Sequence, residues 1–261
     1  MTAAARPPWP SPWGSSEPHP PRRRTLSREL IVETALGIVD AEGLDALSMR
    51  RISQELNTGP ASLYAHVGSK EQLMDLVLDR AYADLVHPVP DPEHWREQTK
   101  DFLRQARDNL IAHNDLSRVA LVSNIPTLPH QLDGAETLIA LLRAGGMPDQ
   151  VVAYGVDVLA LYLVSSAYET SQRTGPDGTP TEHADRYMDG VRSFFVSLPA
   201  DRYPALLSMV GPMTRSVGDE RWEFGLDVML AGLERAAETE RWSRADPADP
   251  AQTERRSSEA R

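Results

Sequence analysis

Residues 47–72 read LSMRRISQELNTGPASLYAHVGSKEQ, and their spacing decides the fold. Ser48 is placed to cap a helix whose inner face is Met49, Ile52 and Leu56. Asn57-Thr58-Gly59 then breaks the chain, and Pro60 suits the first turn of a very short helix carrying Leu63, Tyr64 and Val67. Ser69 and Gln72 form a Ser-x-x-Gln capping box that opens a further helix, ending near Leu85. Upstream, Leu30, Ile31, Ala35, Ile38, Val39 and Leu44 recur at helical spacing between an N-cap at Ser27 and a C-cap at Gly43. These four helices carry no strand signal, and the expectation is an all-α protein.

Downstream, His87-Pro-Val-Pro-Asp-Pro reads as a connector. Helices are predicted near 93–113, 115–123, 129–144, 149–172, 182–197, 203–215 and 219–238, with Gly145-Gly146 and Pro148 separating two of them. Residues 1–24 are expected to form a disordered arm, 25–70 a DNA-binding unit with its motif at 48–67, 71–242 a larger α-helical ligand-binding and dimerisation domain, and 243–261 a disordered tail. The first 21 residues contain seven prolines and no apolar core, unlike a signal peptide. The run VLALYLV at 158–164 is too short to span a bilayer. With no cysteine in the chain, these features predict a cytoplasmic protein without membrane association.

The chain has a formal net charge of -11, a poor start for approaching phosphate. That charge is unevenly placed. Residues 1–70 hold 8 Lys+Arg against 7 Asp+Glu, a net of +1, whereas the remaining 191 hold 19 against 31, a net of -12. An acidic body repels nucleic acid and leaves the N-terminal end to face it.

A helix-turn-helix that reads DNA needs an apolar core, a tight turn, and a second helix presenting small or polar side chains at its N-terminal end. Leu47, Ile52, Leu56, Leu63 and Val67 supply the core, and Ala61, Ser62, Tyr64, Ala65 and His66 the exposed set. Ser48 and Pro60, at the first turns of the two helices, complete the DNA-facing group, with Arg50 and Lys70 placed to meet phosphates on either side. Packing is the competing role for Tyr64 and His66.

The stretch QVVAYGVDVLALYLVSSAY, residues 150–168, has Asp157 as its only charged side chain. A helix apolar on nearly all sides must be covered on nearly all sides. The last helix adds Trp222, Phe224, Leu226, Met229, Leu230 and Leu233. Together they predict a homodimer with a four-helix interface, the alternative being the deep core of a monomer. No G-x-G-x-x-G, G-x-x-x-x-G-K-[ST] or G-x-S-x-G motif occurs. The histidines at 19, 66, 87, 94, 113, 130 and 183 have no metal-ligand spacing. No catalytic residue, metal or cofactor is therefore expected.

The segment LSMRRISQEL followed by GPASLYAHV and SKE closely resembles the TetR family of bacterial transcriptional regulators. LIALLRAGGMPDQVVAYGVDVLALYLV is more loosely similar to the tetracycline-repressor branch. The resemblance implies an all-α homodimer with an N-terminal three-helix DNA-binding domain and a larger effector-binding domain. Carried over by position, Ser62 and Tyr64 would touch a base edge or phosphate, Arg50 a base or phosphate, and Lys70 a phosphate. The implied partners are a palindromic double-stranded operator and a small-molecule effector that releases a repressor from it. A rival reading is an all-helical small-molecule binder without specific DNA readout.

In tetracycline repressors a histidine and the partner's glutamate hold a magnesium–drug chelate. An alignment anchored on Ala112-His113-Asn114-Asp115 puts Ala120 and Gln150 at those positions, so a magnesium–tetracycline effector is not expected. The polar anchors anticipated for the effector within 93–170 are His113, Asn124, Gln131, Tyr154 and Tyr162.

Arg22-Arg23-Arg24 precede the first helix directly. Such a triplet either enters an adjacent narrow minor groove or remains a solvated charge cluster. Minor-groove entry predicts that deleting residues 1–24 weakens operator binding by ~1–3 kcal/mol, most strongly on A·T-rich flanks. Titration of full-length and truncated protein checks this, and matching affinities at low salt assign the triplet to solvent.

Overall fold

The computed structural model describes residues 25–113, 115–123, 125–174, 181–215 and 219–239. Among these it contains no strand, and helices make up the whole architecture. The N-terminal part is α1 (Arg28–Glu42), α2 (Met49–Glu55) and α3 (Pro60–Tyr64), followed by α4 (Lys70–Ala81). The larger part comprises α5 (Trp95–Ala112), α6 (Leu116–Val122), α7 (Pro129–Ala144), α8 (Asp149–Ser171), α9 (Glu182–Val196), α10 (Pro204–Thr214) and α11 (Glu220–Ala237). The boundaries follow the predicted helices closely. The largest difference is at α4, which gives way after Ala81 to a 3-10 turn over Tyr82–Asp84.

Local chemistry sets these starts. Ser27, Ser48 and Ser69 each accept a hydrogen bond from the backbone N–H three residues on, satisfying a donor that the first turn leaves unpaired. Gln72 closes its box one residue early, its Oε1 accepting from the Gly68 N–H at 2.9 Å. In the turn between α2 and α3, Asn57 takes the left-handed conformation at φ 48°. Gly59 is extended at φ -82° and acts as the N-cap of α3. Asparagine tolerates the left-handed region better than most side chains, so the break is made at its first residue.

One apolar core runs through the described residues, from Ile31 and Leu63 to Leu142, Leu159 and Leu226. α4 belongs to both ends of it, packing on α1 and also on α6 and α7. α8 is the central strut of the larger part, set against α5, α6, α7 and α11. By length and composition α8 would suffice to cross a membrane, beyond what the run 158–164 indicated. Its packing against four helices covers part of its apolar surface, and the rest lies on its outward face.

α11 is fastened to this strut by a buried stack. Tyr162 of α8 lies on Trp222 of α11 with centroids 4.8 Å apart, and the Arg107 guanidinium sits 5.0 Å from the indole centroid. Arg107 is only 4% exposed and donates to Ser166, Thr170 and Asp219, so its charge is answered on α8 and at the start of α11. The Tyr162 hydroxyl donates to the Arg221 carbonyl at 3.1 Å. A Cβ at Gly225 would lie 2.1 Å from that hydroxyl oxygen. Because the tyrosine ring is held by the stack, it cannot swing aside cheaply. Gly225→Ala is therefore expected to cost ~1–3 kcal/mol, as overpacking does. Gly190→Ala on α9, where a Cβ meets nothing, serves as control in chemical denaturation. Equal midpoints for the two variants would mean that the stack yields.

Candidate DNA-reading and effector sites

The core of the reading head is the expected one: Leu47, Ile52, Leu63 and Val67 are each at most 1% exposed. Their burial fixes α3 against α2 and turns the other side of α3 outward. Pro60, Ala61, Ser62 and Ala65 are exposed there, and the Tyr64 ring is half out of the core at 50% exposure. His66 is half-buried, and its carbonyl accepts from Arg28 Nε at 3.1 Å, which ties α1 to the end of α3. Ser48 is half-buried and its hydroxyl is engaged as the N-cap of α2.

The nearby cations divide into two kinds. Arg50 and Lys70 are exposed and make no ion pair among the described residues. Arg51, by contrast, is clamped between Glu42 and Glu55, at 2.7 Å from each. Its hydrogen bonds to the Glu42 and Glu55 carboxylates raise its pKa further, so it is a fixed charge turned to its own chain. Arg22, Arg23 and Arg24 lie outside the described residues.

Between α4, α5, α6, α7 and α8 is a cavity of about 330 Å³. Its walls are largely apolar, with Phe102, Leu103 and Leu138 deep inside and Leu161 at the outer edge. Such a volume and lining match a small apolar ligand held by few polar groups. Tyr82, Ser123, His130, Gln131 and Asp157 are the polar wall residues. Burial pushes the Tyr82 phenol above its usual pKa, so this hydroxyl stays protonated.

Of the five anchors expected from sequence, the cavity brings in Gln131. Asn124 lies outside the described residues. His113, Tyr154 and Tyr162 are not in its wall. His113 ends α5 and pairs with Asp40 of α1 at 2.9 Å, joining the two parts of the chain. Tyr154 is 54% exposed on the outward face of α8, and Tyr162 is committed to the Trp222 stack. Residue type alone picked them, and helix rotation sent them elsewhere. Ala120 does line the cavity, offering only a methyl group there.

Sequence reading missed Asp79. This carboxylate is 6% exposed on α4, accepts from the Gln131 N–H at 3.0 Å, and pairs with His130 Nδ1 at 2.9 Å. Leu128, the N-cap of α7, gives no side-chain hydrogen bond, so Asp79 caps α7 from another helix. Ser123 likewise donates to Asp75 of α4 at 2.5 Å. An acid inside the apolar run LVLD at 76–79 was the available signal. Two further histidines have private partners: His87 Nδ1 meets Thr137 at 2.7 Å and His94 Nδ1 meets Asp91 at 2.8 Å.

Arg118 of α6 reaches Asp45 beside α2 at 3.2 Å. The cavity wall and the reading head are thus joined by α4, by a hydrogen bond at His113 and by an ion pair at Arg118.

The family model described as "Bacterial regulatory proteins, tetR family" matches residues 31–77, and "Tetracyclin repressor-like, C-terminal domain" matches 88–237. The HTH-type transcriptional repressor DrrR1 of Streptomyces coeruleorubidus is 32% identical over 218 residues, covering 80% of this chain and 78% of that protein. The class C tetracycline repressor protein of Escherichia coli is 24% identical over 215 residues, covering 80% and 91%. Among solved structures, ActR of Streptomyces coelicolor in complex with actinorhodin is 44% identical with a TM-score of 0.75, covering 82% of this chain and 98% of ActR. With an outward-facing reading head, a large apolar cavity and matches along both parts, the chain belongs to the tetR family of bacterial regulatory proteins and is a ligand-responsive DNA-binding repressor.

Proposed function

We propose that the chain works as a homodimer that sets two α3 helices into successive major grooves of a palindromic operator and releases it when a small apolar effector fills the cavity. The observation that carries this reading is the joint role of α4, which packs on α1 at one side and caps α7 at the cavity wall on the other. A ligand that binds two conformers unequally shifts their populations, and α4 gives that shift a route to the reading head. ActR has been solved with actinorhodin bound. By analogy the effector here is a small organic molecule, and the wall chemistry favours a largely apolar one.

The dimer reading rests on outward apolar side chains. On α8, Tyr154, Val158 and Leu161 are 46–54% exposed at spacings of four and three. On α11, Phe224 and Val228 are 69% and 54% exposed at a spacing of four. Neighbouring stripes on adjacent helices, packed against their two-fold copies, make a four-helix interface. Leu230, expected there from sequence, is fully buried in its own chain, so its substitution would unfold rather than separate subunits. Ser62, Tyr64, Arg50 and Lys70 serve as the DNA contacts, with α3 too short to read many bases alone.

Two outcomes follow. Val158→Glu and Phe224→Glu are expected to give folded monomers at micromolar concentration by sedimentation, with operator binding lost; a stable wild-type monomer would sink the dimer. Lys70→Ala is expected to weaken binding to every sequence and to lower the salt slope by roughly one per subunit, whereas Ser62→Ala changes sequence preference. Unchanged salt slopes would remove Lys70 from the phosphate contacts.

A further inference from the structure

We propose that His130 reads an acidic hydroxyl group on the effector, with Asp79 positioning the imidazole for that contact. The inference rests on the cavity being the effector site. Three observations carry it.

First, His130 is part of the cavity wall, and its Nδ1 is occupied by Asp79 at 2.9 Å. Nε2 has no partner among the described residues, so it is the ring nitrogen left to a ligand. Second, Asp79 is itself held. Its other oxygen accepts from the Gln131 N–H at 3.0 Å, and the residue is almost wholly buried, so the carboxylate cannot rotate away. A carboxylate on one ring nitrogen fixes the tautomer and orientation of the other. Third, the rest of the wall has few polar groups to spare: Ser123 donates to Asp75, and the Gln131 Oε1 accepts from the Thr127 N–H. Leu138, Phe102 and Leu103 offer none, and Asp157 at the rim repels anions. The Tyr82 hydroxyl has no hydrogen bond among the described residues and adds a second point for a polar edge.

The chemistry then selects the ligand group. With Nδ1–H donated to Asp79, a neutral imidazole presents a lone pair at Nε2 and needs a donor. A protonated imidazole presents N–H and is best matched by an oxyanion. A phenol, enol or similar acidic hydroxyl satisfies both states, because it donates when neutral and accepts when ionised. An ether or a bare ring satisfies neither well. The apolar wall takes the ring system that carries the hydroxyl.

The test uses 7-hydroxycoumarin and 7-methoxycoumarin, flat probes differing in the one O–H, titrated against the full-length protein and followed by fluorescence. The hydroxyl compound is expected to bind wild type about tenfold tighter, the worth of one buried hydrogen bond. In His130→Phe the ratio is expected to fall to about one, and in Asp79→Asn to an intermediate value, with circular dichroism melting to confirm the fold. This ratio separates positioning by Asp79 from a merely structural role, which would lower both affinities together. Leu138→Trp, which fills the cavity, should abolish binding of both probes. A wild-type ratio near one, no binding of either probe, or a preference retained in His130→Phe overturns the assignment. Binding that survives Leu138→Trp overturns the cavity as the effector site. If Leu138→Trp abolishes binding while the wild-type ratio is near one, the cavity stands and only the His130 assignment falls.

Discussion

The buried carboxylate of Asp79 is the constraint on which the rest of the structure turns. An acid at 6% exposure inside an apolar helix face is costly unless its lone pairs are answered, and α7 answers them with a backbone N–H and an imidazole. In return α7 obtains the N-terminal cap that Leu128 cannot supply. α4 is thereby locked to the cavity wall at one end. Its other end begins at Ser69, one short loop after α3, and its length packs on α1. A helix packed at both ends of one core cannot move at one end without moving at the other.

The electrostatic layout agrees with this division. The excess acidity lies after residue 70, where Arg104 and Lys100 spend their charge on Glu223 and Asp227 in joining α5 to α11. Among the described residues, Arg50 and Lys70 stand exposed and without an ion pair on the helices beside α3. An acidic body with a locally neutral-to-basic end orients itself on DNA, and its affinity is then set by few phosphate contacts and is strongly salt-dependent. The net charge of -11 is thus compatible with operator binding.

Helix starts and stops were legible because their causes are local. Ser27, Ser48 and Ser69 cap within three residues, and Pro60 and Gly43 act within their own turns. The exposed face of α3 was legible too, since burial of Leu63 and Val67 leaves Ser62 and Tyr64 only one direction. The effector site was not, because it depends on how five helices rotate against one another. His113 went to Asp40, Tyr162 to Trp222, and Leu230 inward, while His130 and Asp79 met across 51 residues of chain. No periodicity in one segment encodes such a pairing. The same holds for Arg107, a cation that sequence reading would place in solvent and that the structure buries against an indole.

The central claim is that the α4–α7 clasp sets the position of the reading head. The chain has no cysteine, so Gln54→Cys on exposed α2 gives one spin-label site per subunit. Double electron–electron resonance between the two subunits of the proposed dimer then reports head separation directly. The account predicts a single narrow distance distribution in the otherwise wild-type protein and a shifted or broadened one when Asp79→Ala cuts the clasp. Identical distributions in the two proteins would contradict it.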